Sequence, residues 1–227
     1  MLAASLLASV PVLHAQGDAM LTHYWAVPTY YNPGAAGDTD NIRIRGGMRM
    51  QWVGIDNAPR TFVAAADMPF KFLGKRWGTG LVVQQESEGL FRNLTVSAQI
   101  GYKFKALKGE FTGALQLGFF NEQFKGSEVF IPDDDDYHQS ADDAIPTRDV
   151  AGNAFDMGIG VYYVHPRLKA GVSLLHAMSP TVTFTSEGEN TATPGGGTSE
   201  TAKKYQFTAP RTLYFTAEGN IPVRNTL

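Results

Sequence analysis

The side chains best placed to do chemistry fall into three groups. In the run from Asn41 to Trp52, Arg43, Arg45 and Arg49 alternate with Ile42, Ile44, Met48, Met50 and Trp52. Successive strand side chains face opposite sides, so one face is basic and the other apolar. Lys103 and Lys105 repeat the pattern within Asn93 to Ala106. Five cations on strand faces fit the lining of a wet lumen, where they favour anions or pair with carboxylates such as Glu86, Glu110 and Glu122; internal pairing is the commoner outcome. The second group is Asp133, Asp134, Asp135 and Asp136, followed by Asp142, Asp143 and Asp149. Carboxylates on flexible backbone suit calcium, but the spacing matches no calcium loop, and runs of like charge are usually solvated. These four aspartates are therefore a weak cation candidate, and no metal or cofactor is expected. The third group is His176 with Ser179, a pairing found in hydrolytic barrels but here carried by spacing alone. His14, His23, His138, His165 and His176 put no two imidazoles on one strand or helix face, and there is no GxSxG elbow, P-loop or dinucleotide fingerprint. No enzyme is expected.

The elements that carry these groups are strands. Alternation marks eight: the run from Asn41, then Arg60 to Met68, Arg76 to Glu86, Asn93 to Ala106, Glu110 to Glu122, Ala154 to Val164, Arg167 to Ala177 and Arg211 to Ile221. Several exceed the usual globular five or six residues and reach the 9 to 11 that a tilted strand needs to cross a bilayer. The links after the second, fourth and sixth strands are short: Pro69 to Lys75, Leu107 to Gly109, and His165-Pro166. Those after the fifth and seventh, 123–153 and 178–210, are long and fall on one side of the sheet. Outer-membrane barrels have this one-sidedness, with short periplasmic turns and long extracellular loops; a soluble lipocalin-like barrel has no need of it. Val182, Phe184, Tyr205 and Phe207 in the second long loop can form a further hairpin extending the flanking strands above the membrane. Trp52, Trp77, Tyr102, Phe104, Phe119, Tyr162 and Tyr163 near strand ends suit interfacial girdles. The fold class is all-β: an antiparallel up-and-down transmembrane β-barrel of at least eight strands. Either eight strands close into a small barrel or the sequence is part of a larger one; the second is expected, because the stretch to Leu227 offers no closing strand.

Composition narrows the function. The net charge is −3 with 19 basic and 22 acidic residues, leaving no basic patch for nucleic acid. The absence of cysteine removes disulfides, thiolate zinc sites and cysteine nucleophiles. Beyond the first fifteen residues, no apolar run is long enough for a transmembrane helix. Leu2 to Leu13 resembles the apolar core of a signal peptide, with Ala15-Gln16 as its cleavage junction and no positive leading region. The organisation expected is a signal peptide at 1–15, an N-terminal segment at the periplasmic rim at 16–40, and a barrel at 41–227 with long extracellular loops.

The stretch QWVGIDNAPRT, Gln51 to Thr61, resembles the signature of the PorP/SprF family of outer-membrane proteins, associated with the type IX secretion system of the Bacteroidetes. Upstream, LTHYWAVPTYYNPGAAG, Leu21 to Gly37, looks like that family's N-terminal segment. Gln51, Trp52, Gly54, Ala58 and Pro59 carry the first resemblance, with Trp52 where the first strand leaves the membrane. Asn32-Pro33-Gly34 reads as a turn bringing the mature N-terminus to the rim. The resemblance implies a non-enzymatic component, working with periplasmic ring and anchor proteins to help cargo with a C-terminal sorting domain reach or stay at the cell surface. Family members run longer, with more strands. The alternative is a passive porin or solute channel.

Overall fold

The computed structural model describes residues 18–129, 148–186, 190–192, 198–200 and 203–220. Segment 1–15, expected to be a signal peptide, and the aspartates Asp133 to Asp136 lie outside them. Among the described residues, two-residue alternation gives twelve strands: β1 Arg43–Met50, β2 Arg60–Phe72, β3 Lys75–Glu88, β4 Phe91–Ala106, β5 Gly109–Lys125, β6 Asp149–His165, β7 Leu168–Leu175, β8 Thr181–Ser186, β9 Asn190–Ala192, β10 Thr198–Glu200, β11 Lys203–Thr208 and β12 Thr212–Gly219. Eight of them form one antiparallel sheet in the order β1-β2-β3-β4-β5-β6-β7-β12, curled into a half-barrel. Every pairing but the last joins chain neighbours, so the topology is up-and-down.

The sheet is built inside out relative to a water-soluble domain. Ile44, Met48 and Met50 on β1, Phe62 and Met68 on β2, Leu81 on β3, Ile100 on β4, Phe119 on β5, Ile159 on β6 and Phe215 on β12 are all exposed on the convex face. Polar Gln99, Thr112, Gln116, Glu122, Asp156 and Ser173 are buried on the concave one. Such an apolar exterior is far larger than a soluble monomer tolerates, and it is the pattern of a lipid-facing barrel wall. Rings line the short-turn end of that face: Phe70, Trp77, Tyr102, Phe104, Phe111 and Tyr163 form a continuous row of ring contacts across β2 to β6. Among the described residues no helix is long and apolar enough to cross a membrane.

Three expectations need correcting. Strand β2 runs four residues past Met68 because Pro69 lies beyond the last β1 pair, Arg43–Asp67, where β2 has a neighbour on one side only and a missing N–H breaks no ladder. Strands β5 and β6, at 17 residues each, extend past Glu122 and start before Ala154, so the first long loop is shorter than read. The hairpin in the second long loop exists, with Phe184 opposite Tyr205 and Val182 opposite Phe207, but it does not prolong β7 and β12. It forms a separate ribbon, and Val182 and Phe184 pack on Phe120 and Val150 of the main sheet. Apolar side chains on both ribbon strands find a drier site there than above the membrane.

Candidate functional site

The N-terminal segment does not rest at the rim. It runs along the concave face of the sheet and supplies much of its core: Tyr30, Tyr31, Asn32, Ala35 and Ala36 are all buried. Pro28 opens a single helical turn, Pro28–Tyr31, where its missing N–H costs nothing. Asn32 then accepts a 2.8 Å bond from the Gly34 N–H and caps a 3₁₀ turn over Pro33–Ala35. The turn sits in a groove carved by glycines on the inward positions of the strands. A Cβ on Gly78 would stand 2.0 Å from the Ala36 carbonyl oxygen, and one on Gly160 would stand 2.3 Å from Asn32 Oδ1. Tyr162, expected in an interfacial girdle, faces inward beside this turn and is buried.

Bonds from strands across the sheet hold the segment along its length. In the middle, Gln99 Nε2 donates to the Thr29 carbonyl at 2.8 Å and Ser173 Oγ to the Tyr31 carbonyl, while Asn32 Nδ2 donates to the Val161 carbonyl at 3.1 Å. At the short-turn end, Arg43 pairs with Asp38 and with Asp67, whose Oδ2 also accepts the Gly37 N–H at 2.8 Å. Lys169 reaches Asp38 at 3.1 Å, Lys103 Nζ reaches the Gly37 carbonyl and Glu110, and Arg76 reaches Asp40 at 2.8 Å. At the long-loop end, Asp18 accepts from the Tyr214 hydroxyl at 2.8 Å and faces His176 Nε2 at 2.8 Å. His176 Nδ1 stands 2.8 Å from Asp156 Oδ2, a charge contact without hydrogen-bond alignment. Burial opposes ionisation of Asp18, but the bonds from His176, Tyr214 and Thr212 outweigh it and hold the carboxyl below the usual range.

The predicted lumen cations therefore divide. Arg43 and Lys103 face the lumen and are neutralised, Arg49 donates to the Met20 carbonyl at 2.8 Å, and Arg45 is half-buried on the same face. Lys105 does not line the lumen: at the end of β4 its side chain emerges at the rim and is exposed. His176 and Ser179 do not form a nucleophile–base pair, because carboxylates occupy both imidazole nitrogens; only the Ser179 N–H contacts residue 176, through its carbonyl. Among the described residues no group of acids and histidines could hold a metal. A cavity of about 1000 Å³ opens at the long-loop end between Asp18, Arg49, Glu86, Glu122, Phe91 and Phe207.

The stretch Gln51 to Pro59 joins β1 to β2 at this same end. The Gln51 N–H bonds the Pro59 carbonyl at 3.0 Å and closes the loop, Ala58 is buried at its base, and the Asn57 carbonyl accepts from Gly89 N–H in the neighbouring hairpin. Trp52, Gly54 and Asn57 have positive φ, at 48°, 103° and 55°, and Trp52, Val53 and Ile55 in the loop they bend are exposed. Sequence reasoning missed the filled lumen, although the inward glycines on β3 and β6 were its visible trace.

A family model described as type IX secretion system membrane protein PorP/SprF matches residues 13–224. The comparison with curated proteins finds no match, and neither does the comparison with solved structures.

Proposed function

Since the chain belongs to the PorP/SprF family of type IX secretion system membrane proteins, we propose that it sits in the outer membrane as a wall-and-plug component that helps particular cargo proteins with C-terminal sorting domains reach or attach to the cell surface. It is brought there by its signal peptide and works beside the periplasmic ring and anchor proteins of the system. The observation that supports an interaction role over a passive channel is the N-terminal segment, which fills the concave face and is tied to it by charge pairs at both ends. A diffusive pore needs a continuous wet path lined by unsatisfied polar groups. Here Arg43, Lys103 and Gln99 are spent on the segment. The apolar convex face, the parity of the long loops and the row of rings at the short-turn end support the outer membrane as its location.

Purification of the tagged protein from its native cells in gentle detergent tests the reading. It predicts co-purification of surface proteins bearing C-terminal sorting domains or of periplasmic ring components. Recovery of the protein alone, together with steady salt-carrying channels in planar bilayers, would transfer the argument to a porin.

A further inference from the structure

The signature loop and the strand it feeds carry a feature the secretion reading does not use. On the convex face, hydrogen-bonded partners across the sheet fall in rows. One row holds Gly46, Ala64, Val83, Val96, Phe119 and Phe155, and is wholly apolar. Two residues toward the long loops, the row reads Met48, Phe62, Gln85, Leu94, Asn121 and Asn153. The next reads Met50, Arg60, Ser87, Arg92, Gln123 and Ala151. The outward wall thus turns polar within two rows, with the Asn121 amide bonded to Asn153 Oδ1 at 2.7 Å and Gln123 to Asn121 at 3.0 Å.

Arg60 and Arg92 stand in that boundary row. Both are exposed, and they point outward with Phe62 and Leu94, the apolar residues two positions below on the same strands. Only β3, bearing Ser87, lies between them, which sets their backbones about 9.5 Å apart. No carboxylate shares their row or the two below it, and neither arginine makes an ion pair with a described residue. The inward Arg43, Lys103 and Lys169 are all paired. An unpaired guanidinium at the polar margin of a lipid-facing wall presents a fork of donors matched to a phosphate, with acyl chains lying against the apolar rows below.

We propose that Arg60 and Arg92, bracketing Ser87, form a binding site for the phosphate of an anionic lipid in the leaflet on the long-loop side. The site rests on the reading that the convex face meets lipid. It gives the Arg60 end of the signature stretch a function of its own: Trp52 and Arg60 mark the membrane boundary on adjacent strand ends.

Native mass spectrometry of the full chain in detergent, with dioleoyl phosphatidic acid and dioleoylglycerol as probes, tests it. The wild-type protein is expected to retain phosphatidic acid about tenfold or more over the diacylglycerol, as charge-assisted hydrogen bonds to phosphate require. R60Q/R92Q should bring the ratio close to one, while K75Q, on the same face at the short-turn end, should leave it unchanged. Excess inorganic phosphate should not displace the lipid, because the apolar rows hold its chains. An unchanged ratio in R60Q/R92Q, an equal loss in K75Q, or full displacement by inorganic phosphate each overturns the site. Failure of the underlying reading has a separate signature: the folded protein would stay monodisperse without detergent and retain neither lipid.

Discussion

Replacing Arg43 by Met leaves Asp38 and Asp67, which share one guanidinium, as neighbouring carboxylates with side chains 1% and 2% exposed. Asp67 keeps the Gly37 N–H and Asp38 keeps Lys169. Neither partner replaces a guanidinium that met Asp67 through both Nε and Nη2 and Asp38 through Nη1. Removing one member of a buried ionic group costs about 3–5 kcal/mol, because the remaining charge is stranded. R43M/D67N should recover part of that loss, since the amide oxygen introduced by D67N still accepts the Gly37 N–H and the stranded charge is gone. The assay is reversible denaturant unfolding in lipid vesicles followed by tryptophan emission. An unfolding free energy for R43M within about 0.5 kcal/mol of wild type, the range of an ordinary surface substitution, would refute the reasoning. So would a double variant no more stable than the single one, because the cost would then not be that of a stranded carboxylate.

Gly78→Val places a side chain where the Ala36 carbonyl now sits, so the N-terminal segment should leave its groove; faster chymotrypsin cleavage at Tyr24, Trp25 or Tyr30, with the sheet retained by circular dichroism, is the outcome to look for. The depressed carboxyl of Asp18 sets a pH dependence. With the folded value below the ordinary 3.8, its contribution is complete above that pH and is lost as the pH falls through the folded value. D18N should therefore be less stable at neutral pH, by about 1.5–3 kcal/mol for charge-assisted bonds, and its unfolding midpoint should fall less than that of wild type below pH 3.8. Of the three tryptophans, Trp77 in the row of rings and Trp52 at the boundary should be quenched by brominated phospholipid in single-tryptophan variants, and Trp25 on the N-terminal segment should be quenched least.

The wall was legible in the sequence because a barrel strand exposes its face assignment in every pair of residues. Leu94 to Phe104 against Thr95 to Lys105 gives a lipid face and a lumen face without any tertiary information, and loop lengths then order the two ends. What fills the wall was not legible, for a physical reason. The Tyr30-Tyr31-Asn32-Pro33-Gly34 stretch has no periodicity of its own, and its place is set by complementarity to Gly78, Gly160 and Gly171, which are far away in the chain. Alternation counts an inward glycine only as a weak polar position. Tyr162 was misassigned on the same account, since an aromatic near a strand end suits a girdle or a core equally. Arg43 and Lys103 turn inward and are bonded, and of the carboxylates named for pairing only Glu110 meets a described cation; the partners Asp38 and the Gly37 carbonyl belong to a segment whose path only the fold reveals. Lys105 failed at the strand end, where alternation continues but the lumen does not.

The most direct test of the central proposal is surface proteomics of the native organism after deletion of this gene. The account predicts that one or a few proteins with C-terminal sorting domains disappear from the cell surface, and that the R43M variant, with its weakened lumen segment, restores them poorly compared with wild type. An unchanged surface proteome, with impaired uptake of small solutes instead, would contradict it.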